Sequence, residues 1–328
     1  MIKKALISGI GNYPGKQKLR GPVHDAQILF ELISKNDDEG NTKNFDATLL
    51  VNPGSKHELK NSILELFQAE GLDIALFYFA GHGMHDYFGY HMMTPDHKQY
   101  DRGIPMSQLL TAVRKSSAKN KIIILDCCHA GGIEDEKKTD GMGIYLEEGI
   151  TILASSKADE RAVEVNGHTV FSNLLIEALK GGAADLAGYI SPGSIYAYID
   201  KALGPNEQRP VFRANISGFV SLRKVKPPVP EEILNNLIVL FPDDPAKPLA
   251  LDTSFEYTND PNEIHELKIP HADKENVAIF KQLQKLEGVG LVVPVDEEHM
   301  YWAAMNNKAC KLTPLGQHYW RIIEKKKK

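Results

Sequence analysis

Apolar residues fall along the first two thirds of the chain in two alternating rhythms. Short runs that are almost wholly apolar, KALISG (4–9), FDATLLVN (45–52), ALFYFAG (75–81), KIIILDCC (121–128) and GITILASS (149–156), predict strands covered on both faces. Among and after them, segments with apolar positions three and four apart predict helices over 23–32, 56–69, 107–115, 170–180 and 194–203. Strands and helices taking turns in this way indicate an α/β layer structure with a mostly parallel sheet.

Two segments interrupt the rhythm. IEDEKKTDGMGIYLEE (133–148) is charged and glycine-containing between two apolar strands, and predicts a solvated, mobile loop. KVKPPVPEE (224–232) carries three prolines in four residues, a stiff linker and a domain boundary. The expected division is therefore 1–225, a proline-rich linker at 226–231, and 232–328. The last part offers a helix over 274–286, Gly288 and Gly290, the strand LVVPV, a polar stretch, the strand ACKLT and a helix from Pro314. That order, with a wing-like connection between the strands, resembles a small winged-helix α+β domain. No internal repeat is evident.

Composition narrows the class. Hydrophobic residues at 42% and charged residues at 25% are ordinary globular usage, which excludes fibrous and disordered chains. The start, MIKKALISGIGNYPG, lacks the apolar core and small-residue cleavage site of a signal peptide, and reads as a first strand. No run approaches 18 apolar residues, so no membrane span is expected. The three cysteines, Cys127, Cys128 and Cys310, are odd in number with two adjacent, which suits a reducing cytoplasm better than a disulfide framework.

Candidate chemistry lies at the ends of two of these strands. His82 follows ALFYFA between two glycines, where a backbone without Cβ crowding can approach a substrate. Cys128 follows an apolar strand and precedes a small-residue turn. A thiol nucleophile needs a base and backbone donors for an oxyanion, and strand C-termini are where open α/β sheets place ligands. The segments NYPGKQKLRGPVHDA (12–26), FYFAGHG (77–83) and ILDCCHAG (124–131), followed by GITILASS, resemble the caspase and metacaspase clan in the order that clan uses. The resemblance covers about residues 3–222. It implies a caspase-like sheet, His82 as base, Cys128 as nucleophile, a dyad with no third orienting residue, and an oxyanion hole from the Gly83 and Cys128 amides. The interval from His82 to Cys128 is close to the roughly 50 residues of the animal caspase signature. Cys127 matches a serine-or-cysteine position and is expected to pack in the strand. A zinc site on Cys127, Cys128 and His129 is disfavoured, because adjacent strand residues point to opposite faces and no spaced second pair exists. His85, His91 and His97 are read as surface groups. QRPVF (208–212) is similar to a strand-end motif of the clan and weighs against another cysteine hydrolase on the same sheet.

The residue two before the nucleophile is Asp126, where animal caspases carry glutamine; metacaspases carry an aspartate there and a second in a segment matched by LRGPVHDA, at Asp25. Two carboxylates in one pocket pair with Arg or Lys and repel Asp, so cleavage after basic residues is expected. The plain alternative for Asp25 is a helix-start carboxylate. Asp96, in MMTPDHK, resembles a further loop aspartate of the family. The insert after His82 has few clustered carboxylates, so no metal and no cofactor is expected. Lys137 and Lys138 form a dibasic site suited to self-processing. From residue 229 the chain has 12 Lys plus Arg against 16 Asp plus Glu, a net of −4, which favours an activating or inhibitory protein partner over nucleic acid. A peptidase with such an adaptor resembles bacterial cell-death and defence effectors. The competing class is a DNA-binding or scaffold protein whose caspase-like part is a latent sensor.

Overall fold

The segment IALFYFA becomes a central strand because neither of its faces meets water. In the computed structural model all seven residues of Ile74–Ala80 are buried. The structure describes residues 1–15, 18–87, 89–99, 101–127, 146–155, 164–165, 168–259, 265–269 and 271–327. Most of the expected loop, residues 133–145, lies outside them, as do Cys128, Lys137 and Lys138.

Residues 1–226 form one unit and 227–328 a second. The first begins β1 (Lys3–Gly9), α1 (Gly21–Ser34), β2 (Asp46–Val51), α2 (Lys56–Gln68) and β3 (Ile74–Ala80). It continues with β4 (Gly83–Asp86), β5 (Gly89–Lys98), β6 (Asp101–Pro105), α3 (Met106–Lys115), β7 (Asn120–Asp126) and β8 (Ile150–Ala154). It closes with β9 (Glu164–Val165), β10 (His168–Thr169), α4 (Val170–Glu177), β11 (Tyr189–Ile190), α5 (Pro192–Ala202), β12 (Val211–Asn215) and β13 (Arg223–Lys224).

Six of these strands make one sheet in the order β12-β8-β7-β3-β1-β2. All neighbours are parallel except β12, which runs antiparallel to β8. This is the helix-flanked, mostly parallel sheet that the alternation predicts. Along β3 the side chains divide by parity: Ala75, Phe77 and Phe79 pack with Leu59, Ile63 and Leu66 of α2 and with Leu109 and Val113 of α3. Leu76, Tyr78 and Ala80 pack on the opposite side with Leu29 and Ile33 of α1, Leu175 of α4 and Ile195 of α5. Residues 83–105, which show no strong period, form an antiparallel sheet β4-β5-β6 beyond the end of β3.

Helix α1 comes unusually close to the sheet. A Cβ on Gly9, the last residue of β1, would lie 2.2 Å from the Pro22 carbonyl oxygen and 2.7 Å from Ala26 Cβ. The face of α1 that makes this approach carries Gly21, Pro22, Asp25, Ala26, Leu29 and Ile33, all buried. Asp25 is thereby carried against the sheet.

The second unit runs α6 (Glu231–Asn235), α7 (Leu237–Leu240), β14 (Leu249–Ala250), α8 (Lys274–Gly288), β15 (Val292–Val295), α9 (Met300–Met305), β16 (Ala309–Leu312) and α10 (Pro314–Lys327). Its sheet is antiparallel in the order β14-β16-β15. The connection read from sequence as polar and wing-like contains α9, whose Met300, Ala303, Ala304 and Met305 are buried. Among the described residues no helix is long and apolar enough to cross a membrane.

Gly9→Ala should destabilise the first unit by about 1–3 kcal/mol, because the added methyl meets backbone that cannot swing aside. Gly218→Ala, where nothing lies within 4 Å of the new Cβ, should change stability by less than about 0.5 kcal/mol. Urea midpoints of the two variants check both values.

Candidate active site

Strands β3 and β7 end level with one another. Ala80 is the register partner of Asp126, and the Gly81 N–H donates to the Asp126 carbonyl at 3.2 Å. The chain leaving β3 reaches His82 at once, and the chain leaving β7 reaches Cys127, with Cys128 next in sequence and outside the described residues.

His82 is held by its backbone. Its carbonyl accepts from the Met93 N–H at 2.9 Å, and its own N–H donates to the Tyr13 hydroxyl at 2.9 Å. The same hydroxyl donates to the Met93 carbonyl at 3.2 Å. The Tyr13 ring packs on the His82 imidazole with centroids 4.6 Å apart and planes 54° apart. Gly81 makes room for this: a Cβ there would stand 2.6 Å from the Tyr13 oxygen and 3.1 Å from the Phe79 ring. Gly83 pairs with Met92 across β4 and β5. Because Met93 bonds to His82, that pair is the non-hydrogen-bonded kind, and the Gly83 amide is left out of the ladder.

A second group lies on the α1 and α4 side of the sheet. Asp126 is 3% exposed and Asp25 2%. One carboxylate oxygen of Asp126 accepts from the Thr169 hydroxyl and, at 2.5 Å, from the Ser172 hydroxyl. Ser172 also pairs with the Tyr78 hydroxyl at 2.9 Å. Having given its own proton to Asp126, Ser172 must accept there, so the Tyr78 O–H is the donor. The sequence supplies these hydroxyls through a helix start: Thr169 caps α4 by accepting from the Ser172 N–H at 3.0 Å. The other oxygen of Asp126, Oδ1, is buried and has no hydrogen bond of good geometry among the described residues, although the Ser155 hydroxyl lies close enough to help hold the carboxyl down. Burial pushes the Asp126 carboxyl up to about 6; the Ser172 and Thr169 hydroxyls oppose the rise and the Asp25 charge adds to it. The Tyr78 hydroxyl is raised by burial and by the Asp126 and Asp25 charges, which places both carboxylates within electrostatic reach of it.

Asp96 is engaged elsewhere. Its carboxylate accepts from the Lys56 N–H at 2.9 Å, at the start of α2, and from the Thr94 hydroxyl at 2.6 Å. Burial raises this group, but those hydrogen bonds outweigh burial and hold it below the ordinary carboxylate range. The structure thus groups Asp25 with Asp126 and gives Asp96 a helix-start role. Cys127 is buried in the cluster with Phe79, Leu125 and Tyr13. His91 is buried, its Nδ1 3.1 Å from the Gly89 carbonyl, and is not the surface group expected. Among the described residues no group of three or more His, Cys, Asp or Glu side chains could hold a metal ion.

Tyr13, Tyr78, Thr169 and Ser172 were assigned no role from sequence. Tyr13 stands inside the NYPG segment, and the T-x-x-S spacing at 169–172 is a helix-start signature that could have been read.

Residues 2–219 match the caspase domain family. Among solved structures, protein GSU0716 from Geobacter sulfurreducens is similar at 16% identity, covering 69% of this chain and 98% of that one with a TM-score of 0.48. No curated protein matches.

Asp126→Asn tests the electrostatics directly. A carboxyl raised on folding binds its proton more tightly in the folded state, so stability falls as pH rises from about 4 to about 6 and the loss is complete above that, on the order of 3 kcal/mol. The amide variant should lack this fall and should melt at higher temperature than wild type at pH 7. Thermal melts from pH 4 to 8 read it; parallel curves for the two proteins would refute it.

Proposed function

We propose that this chain, which belongs to the caspase domain family of cysteine peptidases, hydrolyses peptide bonds on the carboxyl side of Arg or Lys. In this reading His82 removes the proton from the Cys128 thiol, and the thiolate attacks the scissile carbonyl. The oxyanion receives hydrogen bonds from the Gly83 and Cys128 amides, and His82 returns the proton to the leaving amine. Water then hydrolyses the acyl-enzyme by the same route in reverse.

The observation that carries the specificity is the buried pair of carboxylates, Asp25 and Asp126, with no cation of the described residues beside Asp126 Oδ1. Two buried carboxylates held by hydroxyls alone remain costly, and a guanidinium or ammonium entering beside them supplies the opposite charge and further donors. The left-out Gly83 amide supports the oxyanion assignment. The role of residues 232–328 is proposed as docking a protein that switches the peptidase on or off, supported by their acidic balance, which also disfavours a DNA-binding regulator with a latent sensor. A winged-helix-like architecture for this part, and a bacterial cell-death or defence setting, belong to the same proposal.

Fluorogenic peptides ending in Arg, Lys or Asp test the reading. Arg and Lys peptides should be cleaved, Cys128→Ala should abolish turnover, and Asp126→Asn should lower kcat/KM for basic peptides roughly thirtyfold, about 2 kcal/mol. A preference for Asp peptides would sink the pocket assignment. Self-processing has its own readout: intact mass spectrometry of wild type should show fragments ending at Lys137 or Lys138 that are absent from Cys128→Ala.

A further inference from the structure

In a regular antiparallel ladder the Met93 N–H···O=C His82 bond is accompanied by its reciprocal, from the His82 N–H to the Met93 carbonyl. Here the reciprocal bond is replaced by the Tyr13 hydroxyl, which accepts from the His82 N–H at 2.9 Å and donates to the Met93 carbonyl at 3.2 Å. One oxygen atom thus stands inside the ladder at the residue that carries the imidazole.

We propose that Tyr13 is a positioning residue for His82, its hydroxyl wedging the β4–β5 ladder open and its ring fixing the imidazole. The inference rests on the reading that His82 is the base for Cys128. Three independent features converge on it. The ring packs against the imidazole in a tilted arrangement, centroids 4.6 Å apart. Gly81 leaves the space that the hydroxyl occupies, since any Cβ there would meet it at 2.6 Å. The loop that presents Tyr13 is itself clamped: the Gly11 and Asn12 N–H groups both donate to the Asn52 side-chain oxygen at 2.9 Å, and the Asn52 N–H donates to the Gly9 carbonyl at 2.9 Å. Asn52 adopts a positive φ of 46°, a conformation asparagine tolerates better than most residues.

The hydroxyl must stay protonated to serve both bonds. Burial raises its ionisation well above the ordinary tyrosine range; the hydrogen bond from the His82 backbone opposes the rise and the Cys127 thiol adds to it. A second imidazole, His97, lies near the same ring, with centroids 6.4 Å apart. Without the oxygen, the ladder can close by a direct His82–Met93 bond, which draws the His82 backbone toward β5 and carries the imidazole with it.

Tyr13→Phe keeps the buried ring and removes only the wedge. Assays use full-length protein at a temperature where circular dichroism shows the variant fully folded. The expected result is a fall in kcat of about tenfold or more toward an Arg peptide with KM within about twofold of wild type, since a displaced base affects the chemical step and not the pocket. Iodoacetamide alkylation of the Cys128 peptide, read by mass spectrometry, should slow in step and needs no substrate. If Tyr13→Phe melts earlier yet keeps kcat and the alkylation rate within about twofold of wild type, Tyr13 is structural only and the proposal fails. If His82→Ala leaves the alkylation rate unchanged, the base assignment fails and the positioning role with it. If His82→Ala slows alkylation but no basic peptide is cleaved, the fault lies in the specificity reading, and the alkylation rate of Tyr13→Phe alone decides whether the wedge holds.

Discussion

The in-register parallel pairing of β3 with β7 is the constraint on which the rest of the site depends. Ala80 opposite Asp126 makes the two strands stop at the same height. One exit holds His82 and the other leads toward Cys128. The pairing is secure because both strands are buried on both faces, and a slip of one residue would drive apolar side chains out of both clusters at once.

Around those exits the chain accepts arrangements that a stability-optimised fold would avoid. Two carboxylates lie within mutual influence, both almost wholly buried. A ladder bond is replaced by a tyrosine hydroxyl. Helix α1 touches the sheet so closely that only glycine fits at the end of β1. Local unfavourable energy is offset by the large apolar clusters on either side, and the gathering of such features at strand ends is one support for the proposed site.

Five strands of the main sheet were legible because they are mostly apolar and the helices between them keep a clean period, and their expected and observed limits differ by one or two residues; the sixth, β12, is VFRAN, too short and polar to be read as a strand. The β4-β5-β6 sheet was not legible, since GMHDYFGYHMMTPDHK mixes polar and apolar positions and its burial comes from packing beyond the end of β3. In the second unit α9 was hidden for a related reason: HMYWAAMNN is short, and its neighbours on both sides are polar. At the candidate site, His82, Asp25 and Asp126 were visible as residue types in a known order, whereas Tyr13 meets His82 through a long-range contact that no local pattern encodes. Thr169 and Ser172 read locally as a helix start, and only the fold reveals that the same hydroxyls serve a carboxylate contributed by β7.

The alternation of side chains along β7 has an evolutionary reading. Ile123, Leu125 and Cys127 belong to the cluster beneath α2 and α3, while Ile122 and Ile124 belong to the opposite one. Asp126 shares the parity of the second set and Cys127 that of the first. Inserting or deleting a single residue within β7 would exchange these assignments, presenting a thiol where the carboxylate belongs and a charge to the apolar interior. A chain that keeps this arrangement would have to lengthen or shorten the strand two residues at a time, leaving the loops as the freer place for a change in length.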